Sequence, residues 1–155
     1  MTSTAARSRA IAGVVAAVAI AGIAVIAISS AASSGPEFHA DGSKAERVVK
    51  GLPKGWEGTG PDLLSGSPTA GWVNEDEFGI VTIGSSSCPP VAGDLQVMAP
   101  DQVTISFSPS PHDACTADMA ATTHVFKLPP SADGRPLIVT VQNESQGTEY
   151  VLNLP

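Results

Sequence analysis

The feature that most constrains this chain is its apolar N-terminal run. From Ala10 to Ile28, nineteen consecutive residues carry no charged or strongly polar side chain. As a helix at about 1.5 Å per residue the run is roughly 28 Å long, close to the hydrocarbon thickness of a bilayer. Arg7 and Arg9 precede it, and Glu37 and Asp41 are the first charges after it. The positive-inside rule therefore predicts a cytoplasmic N-terminus over 1–9, a transmembrane anchor over 10–32, and everything after about Ser33 outside the cell membrane. The alternative is a signal peptide cut near Ser29-Ser30-Ala31 and a secreted product. Signal-peptide cores usually run about 7–15 residues, so the length favours an uncleaved signal anchor. No Cys follows the run and no Arg-Arg pair precedes it, which argues against N-terminal lipidation and the twin-arginine route. Small residues at four-residue spacing (Ala12 and Ala16; Gly13, Ala17 and Ala21) suit a second helix, but an Ala-rich segment offers such spacings by chance.

Residues 33–70 read as an extracellular tether. Ser29 to about Gly42 is polar and small. Ser43 with Glu46 three residues on has the form of a capping box, and Ala45, Val48, Val49 and Leu52 share a helical face. A short helix over 44–50 is therefore expected, ended by Gly51 and Pro53. From Lys54 to Ala70 the chain is rich in Gly, Pro and Ser, and Trp56 and Leu63-Leu64 are expected as its only apolar anchors.

Beyond Gly71 the period becomes two. Val103, Ile105 and Phe107 alternate with Gln102, Thr104 and Ser106; Leu137, Val139 and Val141 alternate with Ile138, Thr140 and Gln142. Tyr150, Leu152 and Leu154 alternate with Glu149, Val151 and Asn153. Asn143 to Gly147 suits a hairpin loop between the last two runs. Weaker strands are expected at 71–73, 78–83, 91–98 and 121–128. The chain holds 15 Gly and 13 Pro and is only 5% aromatic, which disfavours a helical bundle. The expected fold of 71–155 is all-β: an antiparallel, Ig-like sandwich or small barrel of about seven strands.

Two cysteines, Cys88 and Cys115, fall in the part assigned to the outside, where disulfides persist. A bond between them would close a loop worth about 3–4 kcal/mol in the chain-entropy model. The alternative is a metal site from Cys88, His112, Cys115, Met119 and His124. It lacks the paired Cys-x-x-Cys of structural zinc and the clustered Cys-His-Met loop of copper, so the expectation is a disulfide, no metal and no cofactor.

The stretch Gly71-Trp72-Val73, followed by Gly79-Ile-Val-Thr-Ile-Gly84-Ser-Ser-Ser-Cys-Pro-Pro90 and by Ala114-Cys115-Thr116-Ala117-Asp118, resembles a family of small actinobacterial envelope proteins. The resemblance spans roughly residues 71–130. It implies a membrane anchor or signal peptide ahead of a β-rich domain, and it agrees with the Cys88–Cys115 pairing. It carries no activity that could be transferred.

Enzyme signatures are weak. Gly84-Ser-Ser-Ser-Cys88 is not Gly-x-Ser-x-Gly, because Cys88 stands where the second glycine belongs. A nucleophilic Ser86 would need His112 or His124 as base and Asp113 or Asp118 to orient it. The plainer reading makes the serines turn residues beside the disulfide and His124 a partly buried, hydrogen-bonded strand residue. Glu75-Asp76-Glu77 lacks the spacing of a calcium loop and reads as a solvated turn. Trp56 and Trp72 are expected in core or lid roles rather than a ligand groove. All fifteen acids but only six of the eight bases follow Ser29, which disfavours nucleic-acid binding. Two functions follow: a non-catalytic envelope module anchored in the lipid bilayer, contacting another envelope protein or a wall component; or a small secreted hydrolase or ligand-binding protein built on Ser86.

Overall fold

A computed structural model describes residues 37–38 and 42–155; the expected cytoplasmic segment 1–9 and anchor 10–32 lie outside the described residues. Among those described, no helix is long and apolar enough to cross a membrane. The regular structure is all strand: β1 (Glu37–Phe38), β2 (Arg47–Lys50), β3 (Glu57–Gly58), β4 (Thr69–Trp72), β5 (Glu77–Gly84), β6 (Val91–Ala92), β7 (Gln96–Ala99), β8 (Gln102–Ser108), β9 (Ala120–Lys127), β10 (Leu137–Asn143) and β11 (Thr148–Leu154). Sheet A runs β1-β2-β9-β5-β4-β3. Sheet B runs β11-β10-β8-β6, with β7 also paired to β8.

The two sheets share one core. Sheet A contributes Trp72, Phe78, Ile80 and Phe126; sheet B contributes Val103, Ile105, Phe107, Leu137, Val139, Val141 and Leu154. These are the apolar members of the alternating runs, so period two delivers one face of each sheet-B strand to the interior. Phe78 stacks on Phe126 at 5.7 Å and meets Trp72 edge-on at 6.2 Å. At one flank the Trp72 indole N–H donates to the Pro155 carbonyl at 2.8 Å. At the other, the Lys44 amide donates to the Ala92 carbonyl at 2.9 Å.

The expected short helix over 44–50 is not formed. Residues 47–50 are strand β2, paired to β1 and to β9. Consecutive Val48 and Val49 are 2% and 1% exposed, which a strand achieves by burying both its faces and a two-turn surface helix cannot. The Ser43 hydroxyl accepts from the Ala45 amide at 3.3 Å, not from Glu46 as a capping box requires. The β domain thus includes β1, β2, β3 and the first two residues of β4 from the segment 33–70 expected as tether. The expected strand over 91–98 is two strands, split where the Gly93 amide donates to the Ser106 carbonyl. Nor is the pairing wholly antiparallel: β8 and β10 are parallel. The chain runs along β8 in sheet B, returns along β9 in sheet A, and re-enters sheet B in its original direction.

Sheet A is covered on both faces. Gly79 and Val81 point away from the core, as do their register partners Val125 and Thr123 and the next-strand Val49. Val81, Val125 and Thr123 have no exposed surface. The cover is the segment 51–56: the Thr123 hydroxyl donates to the Gly51 carbonyl, and the Trp56 ring lies against Gly71 and Gly79. A Cβ at those glycines would stand 2.8 and 2.9 Å from the indole, so glycine is what lets the ring settle.

Candidate functional site

Two loops carry the chain between the sheets at one end of the domain. Residues 85–90 lead from β5 to β6, and 109–119 lead from β8 to β9. Cys88 and Cys115 join them as a disulfide, with S–S 2.11 Å and Cα–Cα 5.4 Å. The bond links the loop after β5 to the loop before β9, as expected. It therefore ties together two sheet-to-sheet crossings. Both sulfurs lie beside the His112 carbonyl oxygen, at 3.9 and 3.5 Å. The thiols a metal site would need are consumed in this bond, and Met119 is 57% exposed in the second loop.

Hydroxyls gather beside the disulfide. Thr116 Oγ1 lies 3.0, 3.3 and 3.2 Å from the hydroxyls of Ser85, Ser86 and Ser87. It donates to Asp118 Oδ1 at 2.5 Å. The Ser86 amide also donates to Asp118, at 3.0 Å, and the Thr116 amide donates to Ser87 Oγ at 2.9 Å. A hydroxyl can donate once and accept twice, so Thr116, having donated to Asp118, can accept from two of the three serines. The hydroxyl of Ser86, then that of Thr116, then the Ser86 amide hold the Asp118 carboxyl down to about 2 from its ordinary 3.8. Each of these stabilises the anion.

The structure brings Asp118 to Ser86 and omits the base between them. No hydrogen bond joins the His112 ring to Ser86 among the described residues, and Asp113 is not part of the network. His124 is engaged elsewhere, in the core. It has no exposed surface, lies edge-on to Phe107 at 4.9 Å, and has Nε2 3.2 Å from Thr82 Oγ1. Thr82 Oγ1 also reaches the Thr122 carbonyl at 3.4 Å, so its hydroxyl bridges the imidazole and the strand backbone. Nδ1 has no hydrogen-bond partner among the described residues. Burial holds the imidazole pKa down to about 3, because the charged form is deprived of water. The expected strand histidine is present, more deeply buried than anticipated. The cleft between the sheets nearby is lined by Thr82, Ile83, Phe107, Val141 and Tyr150, and by neither Ser86 nor His112.

Other singled-out residues fall into place. Glu75 and Asp76 occupy the exposed turn between β4 and β5, as expected. Glu77 begins β5 and accepts from Arg47 at 2.7 and 2.9 Å; that guanidinium holds its pKa below the usual carboxylate value. Trp56 is the lid on sheet A. Trp72 is core, with the Arg135 guanidinium 3.8 Å above its ring. Leu63 and Leu64 are not anchors: they are 44% and 98% exposed. The residue that sequence reasoning passed over is Thr116. Its only signal is spacing: Thr116 and Asp118 stand two apart beside Cys115, and the bend at residue 117 brings them together.

Together these features define an all-β, two-sheet domain with one disulfide across its crossover loops and a hydroxyl cluster closed on a carboxylate. No family model matches the chain, and no curated protein or solved structure is detectably similar to it.

Proposed function

We propose that this chain is a single-pass membrane protein of the cell envelope whose extracytoplasmic β domain, an Ig-like sandwich, is a non-catalytic binding or structural module. The observation that carries the reading is the Cys88–Cys115 disulfide downstream of a nineteen-residue apolar run preceded by two arginines. A structural disulfide suits an oxidising compartment, and the run suits delivery to it. The resemblance to small actinobacterial envelope proteins points the same way. Its partners are then the lipid bilayer, through residues 10–32, and another envelope protein or wall component. A surplus of acids over bases fits none of the polyanions. The hydrolase reading is disfavoured because Ser86 leans on Asp118 with no histidine to take its proton.

The test is topology. Membranes washed with carbonate should retain the full chain, and protease added from outside should digest the β domain. Thiol reagents should find no free cysteine until the protein is reduced. A soluble fragment beginning near Ala32 would establish the secreted form instead.

A further inference from the structure

The edges of the two sheets are unequal. β1, β3 and β6 are two-residue strands, and β7 is four residues long with a register shift between Val97 and Ala99. Short and irregular edges offer little for another strand to pair with. β11 is different: seven residues at the end of sheet B, paired among the described residues only to β10, in unbroken register from Asn143↔Thr148 to Leu137↔Leu154. It contains no proline and no lysine, and Glu149 is its one charge.

Its free backbone groups can be assigned. The amides of Ile138 and Glu144 donate to the carbonyls of Asp101 and Phe107, so even-numbered residues of β10 face β8 and odd-numbered ones face β11. The hydrogen-bonded pairs across β10–β11 are then those involving Thr148, Tyr150, Leu152 and Leu154. Glu149, Val151 and Asn153 direct their N–H and C=O groups out of the sheet. All three are exposed, and Val151 shows 61% of its surface.

We propose that β11 is a pairing edge for a second copy of this chain, antiparallel about Val151, which would join two copies of sheet B into one continuous sheet. The two-fold sets Val151 against Val151, so that each donates its N–H to the other's C=O. Glu149 of each copy faces Asn153 of the other, which completes a ladder of about six backbone hydrogen bonds. This register opposes no like charges and places two exposed β-branched side chains side by side, a favourable cross-strand pair. Sliding it by two residues in one direction puts Glu149 against the equivalent of Val151, and by four puts Glu149 against Glu149, which charge disfavours. Because the chain as a whole is acidic, with formal charge −7, long-range repulsion opposes association and salt should strengthen it. The backbone direction and exposure of β11 are the same wherever the protein resides.

The full chain in mild detergent should sediment as a concentration-dependent dimer, more so in about 0.5 M than in about 0.05 M salt, because screening shortens the reach of the repulsion. Val151→Pro removes an N–H that serves no intramolecular bond, so the fold should persist while the dimer dissociation constant rises at least about tenfold. Val151→Lys places two cations at the two-fold and should do the same, most strongly at low salt. In the wild type, amide exchange at Glu149, Val151 and Asn153 should slow as concentration rises. A short thiol-to-thiol crosslinker should capture dimer from Val151→Cys and not from Asp94→Cys, on the opposite edge of sheet B. A monomer at every concentration overturns the proposal, as does a dimer indifferent to both Val151→Pro and Val151→Lys, which would place the contact elsewhere.

Discussion

Sheets A and B solve the same problem in different ways. In β8 of sheet B the burial alternates strictly: Val103, Ile105 and Phe107 are inside, while Gln102, Thr104 and Ser106 stand on the wet face. In sheet A, β5 and β9 each bury five consecutive residues, Phe78–Thr82 and Thr122–Phe126. The cause is a cover on the outer face, where the segment from Gly51 to Trp56 lies across Gly71, Gly79 and Thr123. A sheet facing water on one side must alternate, and a sheet covered on both sides is released from that pattern. Sheet A therefore buries Gly79, Val81 and Thr123 on its outer face, where sheet B presents polar side chains. Its shape is set by what lies on it.

The sharpest test of that contrast is one charge placed on each outer face. Val81→Asp puts a carboxylate at an outward position of sheet A with no exposed surface and should cost more than about 4 kcal/mol, unfolding the domain. Thr104→Asp, on the outer face of sheet B, should cost about 1 kcal/mol or less. Equilibrium denaturation of both variants checks the pair. Equal, small costs would show that the cover on sheet A is loose.

The next effect concerns what holds the sheets to each other. Cys88→Ala with Cys115→Ala releases two crossings between them and should lower stability by about 2–5 kcal/mol. Denaturant midpoints in the oxidised wild type and the double variant measure it.

His124 gives a smaller and pH-dependent difference, since sheet A carries its titratable residue inside. Its folded pKa is depressed to about 3 while the unfolded value stays near 6.5, so between these the unfolded state binds one more proton. Its neutral form favours the fold fully above pH 6.5, and that stability is lost as pH falls. Between pH 6.5 and 5, above the range of most carboxylates, the unfolding free energy should fall by up to about 1.4 kcal/mol per pH unit. His124→Gln should flatten that slope whatever its absolute cost. An unchanged slope would mean that the imidazole is reachable by water.

The smallest effect is at the exposed cluster. Asp118→Asn should speed amide exchange at Ser86 and leave the thermal midpoint nearly where it was. The contribution of Asp118 to stability is present above its ordinary 3.8 and fades as pH falls toward about 2, so the variant should differ from wild type least in strong acid.

How much of this was legible in the chain follows the same division. β8, β10 and β11 were readable residue by residue, together with the hairpin over 143–147, because water on one face writes a period of two into the sequence. The pairing of Cys88 with Cys115 was legible from their number and expected compartment. For β2 the chain was ambiguous: Ala45, Val48, Val49 and Leu52 fit a helical face as well as they fit a strand, and two turns of helix have little stability of their own. Partners β1 and β9 decided it.

At the candidate site the sequence supplied Ser86, Asp118 and two histidines as chemically possible partners, and distance in the fold chose among them. By itself the sequence determined which faces of sheet B are wet, where the staple goes, and that nineteen apolar residues precede the domain. Only the tertiary structure decided that Trp56 roofs sheet A, that β8 and β10 run parallel, and that Ser86 meets a carboxylate rather than an imidazole. Local patterns record contact with solvent, which each residue meets wherever the chain goes. Contacts between residues such as Trp56 and Gly79, or Ser86 and Asp118, exist only once both sheets are in place, and a one-dimensional pattern holds no term for them.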